Sequence, residues 1–153
     1  MLFFVDAMLG NIAKKLRILG FDCKYYSDID DVKLLEKSKN ENRVIISKDQ
    51  NLIKRADKMG LLSVYISKED EIEQFKEILQ KTNLEFGEIS GDGARCPKCN
   101  STTSKIKKSE IINQVKEKTL EEHDEFWRCD GCDQIYWEGI HIKNLQEFVR
   151  KIK

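Results

Sequence analysis

The chain has 153 residues, with 27 basic side chains balanced by 27 acidic ones. That length allows one ordinary domain, or a small domain plus a metal-stapled module. Charge balance excludes a uniformly basic nucleic-acid binder but not a local basic face. No apolar run approaches membrane length and Met1 leads directly into a strand-like segment, so no anchor or signal peptide is expected and the cytoplasm is the default compartment.

Leu2-Phe3-Phe4-Val5 is a continuous apolar run, as a strand buried on both faces requires, and it ends at Asp6. Leu9, Ile12, Ala13, Leu16 and Leu19 then recur at helical spacing until Gly20. Phe21, Cys23 and Tyr25 alternate with Asp22, Lys24 and Tyr26, which predicts a strand nearer an edge; Asp28, Asp30 and Asp31 follow it. Val32, Leu34 and Leu35 predict a helix over about residues 31–40. Arg43 to Ser47 reads as a third strand, with Asp49 just beyond it. Leu52, Ile53, Ala56 and Met59 mark a third helix closed by Gly60. Leu61 to Ile66 reads as a fourth strand running into Glu69 and Asp70, and Ile72, Phe75, Ile78 and Leu79 mark a fourth helix.

The βαβαβαβα pattern predicts an α/β fold, a parallel sheet flanked by helices, over residues 1–81. The first strand is expected to lie centrally beside the topological switch, with Asp6 at the crevice where open sheets bind ligands. Residues 82–95 carry Gly87, Gly91 and Gly93 without periodicity and read as a linker. Residues 96–141 have few large aliphatic side chains but four cysteines, so metal is expected to organise them. Ile142, Leu145, Phe148, Val149 and Ile152 form the stripe of a last helix, 142–153, expected to pack back onto one of the two modules.

Cys96-Pro-Lys-Cys99 and Cys129-Asp-Gly-Cys132 form a CxxC pair of pairs. Four thiolates suit a closed tetrahedral Zn²⁺ site, which is structural because no coordination position is left open. A redox or disulfide pair is the competing reading. Cys23 stands apart and fits a small buried hydrophobe.

Asp6, Asp31 and Asp49 each follow a different predicted strand. Carboxylates gathered at one edge repel one another unless a cation lies between them. One or two Mg²⁺ or Mn²⁺ ions would suit such oxygen ligands, and the chemistry would be phosphodiester hydrolysis. Each acid also suits a helix start, where it caps backbone amides. Asp30 is an alternative to Asp31, and Asp70 or Glu69 is a candidate fourth ligand. Lys14, Lys15 and Arg17 follow Asp6 on one helix, of which two at most can face that edge, and Lys48 adjoins Asp49. With Lys98, Lys105, Lys107 and Lys108 they are candidate phosphate contacts or simply solvated charges. Trp127, Tyr136 and Trp137 can stack unpaired bases or fill the second module's core. His141 is a candidate phosphate contact or cap for the last helix.

Asp6-Ala-Met-Leu-Gly followed by Ala13 to Asp22 resembles the opening of the Mut-seven C-terminal RNase family, PIN-like domains with a C-terminal zinc ribbon. Arg43 to Asp49 is similar to the family strand ending in Thr-Arg-Asp, with Ser47-Lys48 in place of Thr-Arg. Ala94 to Asn100 resembles the first knuckle. Glu125 to His141 resembles the second knuckle with its trailing Tyr-Trp-x-Gly-x-His. The resemblance implies a PIN-like fold, RNA as substrate, single-stranded or structured, and Asp6, Asp31 and Asp49 in the places of the PIN acids. The fourth PIN acid has no clear match, and Lys15 stands where an aromatic is frequent. Three functions follow as expectations: a metal-dependent ribonuclease whose ribbon aids RNA binding, a non-catalytic RNA-binding or ribosome-associated adaptor, and a protein-interaction module.

Overall fold

The computed structural model describes residues 1–152. Lys153, the last residue of the expected C-terminal helix, lies outside them. Four strands, β1 (Leu2–Val5), β2 (Asp22–Tyr25), β3 (Val44–Ser47) and β4 (Ser63–Tyr65), form a parallel sheet in the order β2-β1-β3-β4. Six helices follow in chain order: α1 (Gly10–Ile18), α2 (Asp31–Glu41), α3 (Gln50–Lys58), α4 (Glu71–Thr82), α5 (Glu117–Glu122) and α6 (Ile140–Ile152). A single 3-10 turn, Ala7–Leu9, joins β1 to α1. The first strand is therefore central, and the switch falls between β1 and β3. Among the described residues no helix is long and apolar enough to cross a membrane.

Strand side chains alternate between two layers, as the pleat demands. Phe3, Val5, Val44, Ile46 and Val64 pack with Ile12, Ala13 and Leu16 of α1, Phe75 and Ile78 of α4, and Leu145 and Val149 of α6. Phe4 and Ile45 face the other way, onto Leu34 and Leu35 of α2 and Leu52, Ile53 and Ala56 of α3. Helices α2 and α4 end on Asn42 and Asn83, both left-handed (φ 55° and 51°). Asparagine tolerates that conformation nearly as glycine does, so these stops lack the glycine signal that ends α1 and α3. The C-terminal helix packs back onto the first module, with Phe148 edge-on to Phe75 at 5.5 Å between ring centroids.

The second module is an antiparallel sheet, β5 (Thr103–Ile106), β6 (Phe126–Cys129) and β7 (Ile135–Trp137), in that spatial order. Its inserted segment brings a small core of its own, with Ile111, Leu120, Phe126 and Ile135 all buried. The segment before it is not free chain. Leu84, Phe86 and Ile89 join the main core. Gly91 lies so close to Trp127 that a Cβ there would fall 2.4 Å from the ring.

The knuckle at Cys96–Cys99 seals the open side of β2. Asn100 accepts from the Cys23 amide (2.9 Å) and donates to Asp22 Oδ1 (2.8 Å), replacing a missing neighbouring strand. Arg17, 6% exposed, donates from Nε to the Cys23 carbonyl and from Nη1 to the Pro97 carbonyl, both at 2.8 Å. The Arg95 amide binds the Arg17 carbonyl. Gly20, at φ +100°, admits the linker, since a Cβ there would lie 2.9 Å from the Gly93 carbonyl oxygen. Asp22 is the electrostatic centre of the seam. Burial alone would raise its pKa, but hydrogen bonds from Arg43 and Asn100 and the charges of Arg43 and Arg95 outweigh it and hold the carboxyl below its ordinary value. A carboxylate with a depressed folded pKa stabilises the fold above its unfolded pKa, and that stabilisation is lost as the pH falls through the folded value.

Asn100→Gly removes the bridging side chain while keeping the left-handed backbone (φ 71° at Asn100). The expected cost is about 1–2 kcal/mol, since two hydrogen bonds are lost and the Cys23 amide is orphaned. Thermal unfolding then falls by about 3–6 °C, and the Cys23 amide exchanges hydrogen faster.

Candidate functional site

All four parallel strands end at the same edge, and parallel register fixes what meets there. Val5 pairs with Ile46, so the next residues, Asp6 and Ser47, emerge side by side. Asp6 Oδ2 accepts from the Ser47 hydroxyl at 2.7 Å, and Oδ1 accepts from the Ala7 amide at 2.7 Å. The Ser47 oxygen accepts in turn from the Asp49 amide at 2.9 Å. One hydroxyl thus ties two of the three acids together. Asp49 caps α3 through Oδ1, with Asn51 and Leu52 amides as donors.

Asp31 stands at the first position of α2, whose cap is Asp30, bonded to the Lys33 amide. Desolvation raises the pKa of Asp31, and the negative charges of Asp49, Asp6 and Asp30 raise it further, against a lowering by Arg55. Asp31 therefore shares one negative region with Asp6 and Asp49. Arg55 Nη1 approaches Asp31 Oδ2 only to 3.9 Å, and among the described residues no lysine forms an ion pair with any of the three acids. Lys48 instead turns to Glu69 (3.0 Å) and Lys15 to Glu71 (2.9 Å). Asp70 is exposed and caps α4 through the Glu73 amide.

Of the candidate basic contacts, Lys14 is exposed and Lys15 and Lys48 are half-buried in ion pairs. Arg17 is different: it is buried in the seam between the modules, its guanidinium spent on two carbonyls, and is withdrawn from the RNA-contact set. Sequence spacing put Arg17 on the same helix as Lys14 and Lys15 but could not reveal that α1 turns this side chain towards a knuckle 80 residues away.

The four knuckle cysteines meet. Among the described residues they are the one group of three or more His, Cys, Asp or Glu side chains that could hold a metal ion, their ligand atoms all within 4.8 Å of one another; Asp6, Asp31 and Asp49 do not form such a group. Cys96 and Cys132 sulfurs lie 3.8 Å apart and Cys99 and Cys129 sulfurs 3.3 Å apart. A tetrahedral Zn²⁺ with four Zn–S bonds calls for sulfur separations of about 3.8 Å. The two knuckles repeat one turn: Asn100 N donates to Cys96 O and Asp133 N to Cys129 O, with both residues left-handed. The Ser101 hydroxyl lowers the pKa of the Cys99 thiol, while burial raises that of Cys129, its neighbour at 3.3 Å. The donor set fits Zn²⁺ and closes its coordination. Tyr136, unnoticed as a partner of this centre from sequence, places its hydroxyl 2.8 Å from Cys96 Sγ. Trp127 is core rather than surface, 2% exposed, with its indole N–H bonded to Asp92.

A family model, the Mut7-C RNAse domain, matches residues 1–149. The chain belongs to that family. No curated protein and no solved structure matches it. Mut7-C membership assigns a ribonuclease-family role, and the match runs through both the acidic edge and the four cysteines.

Two measurements check the centres. Cys99→Ser is expected to lower bound zinc from about one ion per chain and to increase hydrogen exchange over residues 94–141, read by metal analysis and mass spectrometry; unchanged metal content contradicts the site. Carboxyl NMR titration without divalent cations is expected to place Asp31 above the ordinary value of 3.8. Because that pKa is raised in the fold, ionising Asp31 costs stability as the pH rises through its titration. Asp31→Asn therefore raises the melting temperature at neutral pH and low salt.

Proposed function

We propose that the chain is a metal-dependent ribonuclease that hydrolyses RNA phosphodiester bonds at the Asp6, Asp31 and Asp49 edge, with the ribbon aiding RNA binding. What supports the reading is the shared negative field felt by Asp31, whose carboxyl is raised by burial and then by Asp49 and Asp6, against a partial lowering by Arg55. Repulsion of that kind favours a divalent cation. A bound Mg²⁺ or Mn²⁺ would supply an activated water and neutralise charge on the phosphate.

The chain's own residues have separate tasks. Ser47 fixes Asp6 through Oδ2 and positions Asp49 through its amide, so it sets the spacing of two ligands. Lys14 and Lys48 are the basic side chains nearest the edge along the chain and are assigned to phosphate. Asp70 is assigned as a fourth ligand, available once its capping bond to α4 is shared with the ion. The functional units we propose are a PIN-like nuclease domain 1–81, a linker 82–95, a ribbon 96–141 and a terminal helix 142–153.

Asp6→Asn and Asp49→Asn test ligand against cap, because asparagine caps a helix as well as aspartate does but lacks the charge. Both are expected to lower Mg²⁺- or Mn²⁺-dependent RNA cleavage about a hundredfold or more while the fold and RNA binding persist. Ser47→Ala is expected to lose about 10–100-fold. Equal cleavage by wild type and both asparagine variants rejects the assignment. RNA retained without turnover by the wild type favours the adaptor.

A further inference from the structure

A groove of about 960 Å³ separates the two modules, with α1 on one side and β7 and the start of α6 on the other. Among the described residues four cations line it, Lys14, Lys15, Arg95 and Lys98, against one carboxylate, Glu71. In a chain of zero formal net charge this is a concentrated positive strip. Glu71 is engaged by Lys15 and Asp22 by Arg95, so Lys14 and Lys98 have no carboxylate partner among the described residues. Trp137 lines the same groove, 36% exposed, and its indole N–H has no hydrogen-bond partner among the described residues. A second cavity, of about 470 Å³, shares Asn11, Lys14 and Glu71 with the groove and reaches Ala7 and Met8, immediately after Asp6.

We propose that this groove seats an unpaired RNA segment and delivers it to the acidic edge. Lys14 and Lys98 hold phosphates, and Trp137 stacks a base. The proposal rests on the ribonuclease reading and extends it by choosing the strand state of the substrate. The apolar walls beside Trp137 suit exposed base faces, which a duplex keeps inside its stack. An acidic peptide would match the charge but not the aromatic wall, and it would have no reason to share a cavity with the residues that follow Asp6.

The test uses the zinc-loaded 153-residue chain carrying Asp6→Asn to block turnover, with a fluorescent unpaired RNA of about 12 nucleotides. Trp137→Ala is expected to weaken binding about tenfold, and Trp137→Phe to restore most of it. Lys98→Glu is expected to weaken binding and to lower the salt slope by about one. His141→Ala, at an exposed position on the groove wall away from the knuckles, is expected to give a smaller loss with zinc content unchanged. The same sequence as a duplex is expected to bind more weakly and to ignore Trp137→Ala. With Asp6 intact, the groove variants are expected to raise KM for unpaired RNA more than they lower kcat. RNA affinity unchanged by Trp137→Ala, Lys98→Glu and His141→Ala overturns the groove even if cleavage at the acidic edge is intact. So does an oligoglutamate peptide that displaces the RNA and is itself sensitive to those variants. Groove-dependent binding without any cleavage by the wild type overturns the ribonuclease reading instead.

Discussion

The parallel pairing of β1 with β3 is the constraint from which the rest follows. Once Val5 lies beside Ile46, Asp6 and Ser47 leave the sheet together, and the hydroxyl of Ser47 can bind the carboxylate at 2.7 Å. Neither residue could reach the other from antiparallel strands. The same geometry forces α2 and α3 to begin at that edge, which brings Asp31 and Asp49 into the field of Asp6. Helix capping and charge clustering are therefore not competing explanations for these acids. Asp6 and Asp49 do both, because a strand that ends in a helix start puts a capping residue at the strand's C-terminal edge.

The seam between the modules solves a second problem. β2 is an edge strand, and an open edge invites pairing with another chain. A knuckle side chain, Asn100, takes the place of a neighbouring strand, while Arg17 and Asp22 bind the knuckle by charge. The ribbon is thus fixed relative to the sheet rather than tethered by a loose linker. A fixed ribbon leaves a groove with defined walls, and that groove adjoins a second cavity that reaches Ala7, Met8 and Lys48. The position of the four-cysteine cluster links the fold of one module to a groove wall shared with the other.

Much of this was legible in the residues. The alternating apolar runs gave the four strands and their helices, because strand and helix periods differ and each buried layer must be filled. The central place of β1 was an expectation that the strand order β2-β1-β3-β4 meets. The CxxC pairs marked the four cysteines that cluster, since two thiols at that spacing can reach one ion from one turn. Less was legible where asparagine replaced glycine, as at Asn42 and Asn83, or where one residue had two roles in view. Arg17 looked like a phosphate contact and is a seam residue. The small core of the inserted segment, built around Ile111 and Phe126, was masked by its low aliphatic content.

By itself the sequence determined which atoms are available: three acids each following a strand, four thiols in two turns, and a helix of basic residues beside Asp6. Local periodicity and residue chemistry are enough for that, because strand ends, caps and knuckles are short-range. The tertiary structure alone decided which of those atoms share a site. Asp22 and Asn100 are 78 residues apart, as Cys96 and Tyr136 are 40 apart, and their bonds exist only because packing closes those loops. Long-range contact carries no local signature in the chain, so the seam, the groove and the exposure of Trp137 emerge only when the two modules are docked.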